Sequence, residues 1–64
     1  MISGILKMWK EDEGWGFIEG DDGDDYFVNI ANVRKGQKMQ PNIRVKFDVT
    51  QGHRGPEAEN VSLF

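Results

Sequence analysis

The sequence contains no cysteine. That excludes a disulfide framework, a thiolate zinc site and a cysteine nucleophile. It is compatible with a reducing cytoplasm, which is the expected location. No apolar run approaches the ~20 residues of a membrane span. The N-terminus lacks a basic region followed by an apolar core, so nothing points to export or to a membrane. Histidine occurs once, as His53 between Gly52 and Arg54. With no second histidine and no serine motif beside it, no catalytic group assembles. The acidic run Asp21 to Asp25 lacks the full twelve-residue loop and distal bidentate glutamate of a calcium site. The other carboxylates also fall mostly in turns. No enzyme, metal or cofactor is read.

What is present fits one small domain spanning residues 1–64. A chain of this size buries only about 60% of the surface it exposes when unfolded. The formal net charge is −3. On its face that argues against a nucleic-acid partner, but the distribution matters more than the total. Residues 11 to 33 hold eight acidic side chains and no Lys or Arg, while the remainder carries all eight basic residues and only three acidic ones. Such asymmetry becomes a surface field once the chain folds.

Short strand patterns run through the chain, and no helical periodicity competes with them. Ile2 to Trp9 reads as the first strand, with Ile2 and Leu6 on one face and Lys7 and Trp9 on the other. Gly14 to Glu19 is the second. Gly20 to Asp25 is a turn by its glycine and aspartate content. Tyr26 to Ile30 is the third strand. Ala31 to Asn42 reads as a loop with at most one short helical turn. Ile43 to Val49 alternates strictly between apolar and polar residues, the mark of a half-buried strand. That alternation puts Val45, Phe47 and Val49 together on the core face. Gly52 to Pro56 is a turn, and Glu57 to Leu63 the last strand. Five short strands with glycine-rich turns predict a small all-β barrel.

The most informative stretch is Glu13-Gly14-Trp15-Gly16-Phe17-Ile18-Glu19. Trp15 and Phe17 share one strand face, and Gly16 and Ile18 the other. Ile18 belongs in the core, so the aromatics point outward. Exposed apolar patches mark binding sites, and flat rings standing clear of neighbours suit stacking of unpaired bases. Aromatics favour strands in any case, and a strand glycine can mark only a bend. The heptad alone serves either reading. The second aromatic strand, with Phe27, favours the binding one.

These motifs resemble the bacterial cold-shock proteins, which implies a five-stranded antiparallel barrel of the oligonucleotide-binding (OB) fold. The family's Lys-Gly-Phe-Gly-Phe-Ile motif appears as Glu13 to Ile18, and its Val-Phe-Val-His-Phe motif as Tyr26 to Ile30. The terminal pattern Gly-x-x-Gly-Pro-x-Ala-x-Asn-Val is met by Gly52, Gly55, Pro56, Ala58, Asn60 and Val61. The opening Gly4-x-x-Lys7 fits as well. The resemblance covers essentially the whole chain. It implies binding of single-stranded RNA or DNA without a chemical step, as an RNA chaperone or a regulator of transcription or translation.

Residue by residue, it nominates Trp15, Phe17 and Phe27 as stacking groups, with Trp9 as a fourth displaced by one position. Lys7, Lys10 and Arg54 are the candidate phosphate contacts. Asn29, standing where the family carries histidine, is a further candidate contact. Several departures weaken the match. Met8-Trp9-Lys10 replaces Trp-Phe-Asn, Glu13 replaces lysine, Ile30 replaces phenylalanine, and the loop after Val33 is shorter and lacks an aromatic. A binder weaker than typical members is therefore expected. The alternative is a protein-interaction module that kept the barrel and lost most of the nucleic-acid surface, with an acid-rimmed aromatic patch suited to a basic protein partner.

Overall fold

A computed structural model describes residues 1–64. Five strands run in the order β1 (Ile2–Lys10), β2 (Trp15–Gly20), β3 (Asp25–Asn29), β4 (Arg44–Gly52) and β5 (Gly55–Leu63). One turn of 3-10 helix, Ile30–Asn32, follows β3. The strands close into a barrel in the order β1-β2-β3-β5-β4, with β4 returning to β1. All pairings are antiparallel except that of β3 with β5. The expected all-β, five-stranded OB-type barrel is what the chain forms; it departs from a fully antiparallel barrel only at β3–β5, where closing the barrel brings the two strands together in the same direction.

Period-two alternation explains the interior. Leu6, Ile18, Tyr26, Val28, Val45, Phe47, Ala58 and Val61 are buried together. The Tyr26 and Phe47 rings meet at 5.2 Å between centroids. Met39 joins this core from the 33–43 connection, which the sequence presents as a loop without periodicity. The connection is tied down by backbone bonds from Arg34 N to Val61 O and from Leu6 N to Ile43 O. The Leu63 amide also donates to the Gln37 side chain at 2.8 Å.

Two irregularities overturn details of the sequence reading. The β1–β2 register shifts between Leu6 and Met8, so that Lys7 is an extra residue on β1. A bulge of this kind resets the alternation. Met8 now lies opposite outward-facing Phe17, and Trp9 lies opposite inward-facing Gly16. Trp9 therefore packs against the core rather than sharing a face with Lys7. A second shift, between Lys46 and Asp48 of β4, places an extra residue on β5 beside Asn60, whose φ is +53°. Val49 is 43% exposed, although the alternation assigned it to the core with Val45 and Phe47. It follows the register shift between Lys46 and Asp48, past which the inward alternation of β4 no longer holds. Ile30 leaves the third strand for the 3-10 turn and is half exposed.

At Gly16 strand β1 leaves no room for a side chain on β2. A Cβ there would collide with the Met8 carbonyl oxygen and come within 2.9 Å of the Trp9 ring. Gly16→Ala should therefore destabilise the barrel by about 1–3 kcal/mol, the usual cost of overpacking. Thermal melts of variant and wild type measure this directly, and an unchanged midpoint would contradict the close approach.

The β2–β3 turn is held by polar contacts. Ser3 Oγ donates to Asp21 at 2.5 Å, and the Arg44 guanidinium donates to the same carboxylate at 3.1 Å. These two contacts hold the Asp21 carboxyl below the usual range. The Tyr26 hydroxyl donates to Asp22 at 2.5 Å. That bond holds Asp22 low and pushes Tyr26 up to about 12. A raised phenol pKa contributes stability that is complete below the unfolded value near 10 and is lost as pH climbs through about 12. The two lowered carboxylates contribute above the ordinary carboxylate range and lose their contribution as pH falls through their folded values. The stability advantage of wild type over Tyr26→Phe should thus shrink between pH 10 and 12. Denaturant melts across that range test the linkage; parallel curves would break it.

Candidate nucleic-acid interface

Strands β2 and β3 carry the aromatic face. Trp15 and Phe17 sit two apart on β2 and so share its outer side, while Phe17 lies directly across from Phe27 of β3. The three rings form one cluster. Trp15 and Phe27 are near-parallel, with centroids 5.9 Å apart. Phe17 meets Trp15 edge-on at 6.1 Å and Phe27 edge-on at 5.7 Å. Both separations and angles fall in the favoured range for aromatic pairs. The small residues flanking Trp15 give the cluster its form. Gly14 turns the chain with φ +76°, and Gly16 lets β1 approach from within.

The rings are unequally available. Phe17 is 36% exposed, Trp15 is half-buried, and Phe27 is only 8% exposed. Phe27 is covered by its two aromatic neighbours and by the Arg54 guanidinium, whose carbon lies 4.7 Å from the ring centroid. On the β1 side the cluster is extended by Met8, opposite Phe17. Sequence reasoning missed Met8 because it put Trp9 on this side. Only the bulge at Lys7 reverses the two, and nothing in the residue order announces a bulge.

The structure places Trp9 elsewhere. Its ring packs on the core at the barrel end, and its indole N–H donates to Glu11 at 3.0 Å. With Glu11, Ile30, Gln37 and Met39 it lines an open cleft of about 340 Å³. Asn29 lies opposite Trp15 and is exposed. Its side-chain oxygen accepts from the Ala31 amide at 2.9 Å, which caps the 3-10 turn.

Charge around the rings is mixed. Lys10 ends β1 opposite Trp15. Lys7, on the bulge, holds its Nζ 3.5 Å from the Glu19 carboxylate. Both partners are well exposed, so this pair contributes little and leaves the lysine available to an anion. Arg54 approaches from the β4–β5 hairpin. Against these, the Trp15 indole N–H donates to Glu13 at 3.1 Å, which fixes a carboxylate at the rim of the ring. The rest of the acidic excess is mostly remote. The Asp21–Asp25 turn lies at the opposite end of β2, tied to Ser3, Arg44 and Tyr26. Lys7, Lys10 and Arg54 thus border the aromatic face, as do Glu13 and Glu19, while Arg44 and Lys46 sit over Phe64.

Burial separates structural from presented rings. Phe27→Ala should cost the fold about 3–5 kcal/mol, the range for a buried phenylalanine. Phe17→Ala should cost about 1 kcal/mol, the scale of an aromatic pair. Chemical denaturation ranks the two, and equal losses would show that Phe17 is as structural as Phe27.

The family model described as the 'Cold-shock' DNA-binding domain matches residues 2–64. Cold shock-like protein CspC of Bacillus cereus is 37% identical over 62 residues, covering 94% of this chain and 95% of that protein. Cold shock protein ScoF of Streptomyces coelicolor is 38% identical over 65 residues, 97% of each. Among solved structures, drosophila Unr CSD456 superposes with a TM-score of 0.81 at 20% identity. That match covers 98% of this chain and 26% of the other, and it speaks to the fold alone.

Proposed function

We propose that this chain, which belongs to the cold-shock domain family, binds single-stranded nucleic acid by stacking bases on its outer aromatic face. The observation that carries the reading is the contiguous Trp15–Phe17–Phe27 cluster, bordered by Lys7, Lys10 and Arg54. Rings supply affinity that tolerates many sequences, because every base has a π-face. The basic side chains hold the backbone. No bond is made or broken. Within a cell the role would be that of an RNA chaperone or a regulator of transcription or translation.

Each stacked base is worth roughly 1–3 kcal/mol. Trp15 and Phe17 present surface directly, and Phe27 is 8% exposed. Ile30, half exposed where the family carries an aromatic, offers no π-face. Glu13 at the rim of Trp15 repels phosphate. Both support affinity below that of typical family members.

The test is intrinsic fluorescence during titration with a short oligo-dT and its RNA counterpart at two salt concentrations. Saturable quenching is expected, with a log–log salt slope near −2, from three phosphate contacts at ~0.7 each. Trp15→Phe should lose most of the quenching, whereas Trp9→Phe should retain it. A flat titration at low salt, with the barrel still folded, would overturn the proposal and turn attention to a basic protein partner at the acid-rimmed face.

A further inference from the structure

We propose that Arg54 is a cap on the Phe27 platform that a phosphodiester lifts, so that the face selects charged oligonucleotides over bases offered without phosphate. This rests on the nucleic-acid reading above and goes beyond treating Arg54 as a plain phosphate contact.

The geometry is specific. One side of Phe27 is stacked beside Trp15, and its edge meets Phe17. The guanidinium at 4.7 Å covers the ring further, leaving Phe27 8% exposed. Arg54 itself is exposed, on the hairpin tip between Gly52 and Gly55, and it forms no ion pair. Gly55 has φ +95°, and nothing stands within 4 Å of where its Cβ would be, so the tip has room around it. The ring is therefore the partner of an otherwise free charge.

An exposed cation–π contact corresponds to roughly a 2- to 5-fold factor in an equilibrium. A phosphate offers the guanidinium a stronger, charge-assisted and bidentate alternative. When Arg54 moves to a phosphate, the Phe27 face is uncovered for the adjacent base. A neutral ligand offers no such exchange and must displace the cap unaided. Loss of Arg54 should then act in opposite directions on charged and uncharged ligands. A simple phosphate contact would leave the uncharged one unaffected. A guanidinium sandwiched between ring and base would make both weaker on deletion.

The experiment titrates wild type, Arg54→Ala and Arg54→Lys with a short oligo-dT and with the same sequence carrying methylphosphonate linkages. Arg54→Ala should weaken phosphodiester binding and flatten its salt slope by about 0.7. The same variant should tighten methylphosphonate binding about 2- to 5-fold. Arg54→Lys should keep the salt slope while tightening the methylphosphonate oligomer, because an ammonium lacks the planar stacking surface of a guanidinium. Normal phosphodiester binding by the wild type, with methylphosphonate affinity unchanged, weakened or undetectable in Arg54→Ala, overturns the cap and leaves the binding reading standing. Folded wild-type protein that binds neither oligomer overturns both.

Discussion

The close approach of β1 to β2 at Gly16 sets much of what this surface becomes. Only a hydrogen fits between the strands there, beneath the Met8 carbonyl and against the Trp9 ring. One extra residue, Lys7, brings β1 to that point with its faces exchanged. Trp9 is turned inward to close the barrel end, and Met8 outward to the edge of the aromatic face. Lys7 stays on the outside, as alternation from Leu6 requires, within reach of Glu19. One local irregularity thus decides which of two large side chains is structural and which borders the site.

The aromatic face is itself a compromise between burial and presentation. Three rings that contact one another bury part of their own surface, which helps a domain with little interior to spare. Phe27 has gone furthest in that direction, and Phe17 least. A ring that is packed firmly on its neighbours is already oriented, so a base that stacks on it need not order it first. The same packing limits how many faces are open at once.

Electrostatics divides along the barrel. The acidic turn is anchored to Ser3, Tyr26 and Arg44 at one end of β2, and the aromatic cluster begins at the other. A net negative chain can therefore still present lysine and arginine beside its rings. The division is incomplete, because Glu13 is held to the Trp15 indole and Glu19 flanks Lys7. In the family's pattern a lysine precedes the first motif's glycine. Its replacement by a carboxylate that accepts from the neighbouring indole exchanges a positive charge at that rim for a negative one held in place.

The sequence by itself determined the strand inventory, the outward placement of Trp15 and Phe17 opposite Ile18, and the family. Each rests on period-two alternation or on residue order, which are local properties. Tertiary structure decided what alternation cannot carry. The bulges at Lys7 and beside Asn60 shift the faces of Trp9 and the pairing of β4 with β5, because an extra residue is invisible until the partner strand is known. Met39 enters the core from a segment without periodicity, where alternation gives no signal of which residue is buried. Arg54 reaches Phe27 across 27 positions of sequence only because β3 and β5 lie side by side in the closed barrel. That contact exists in the fold and nowhere in the order of residues.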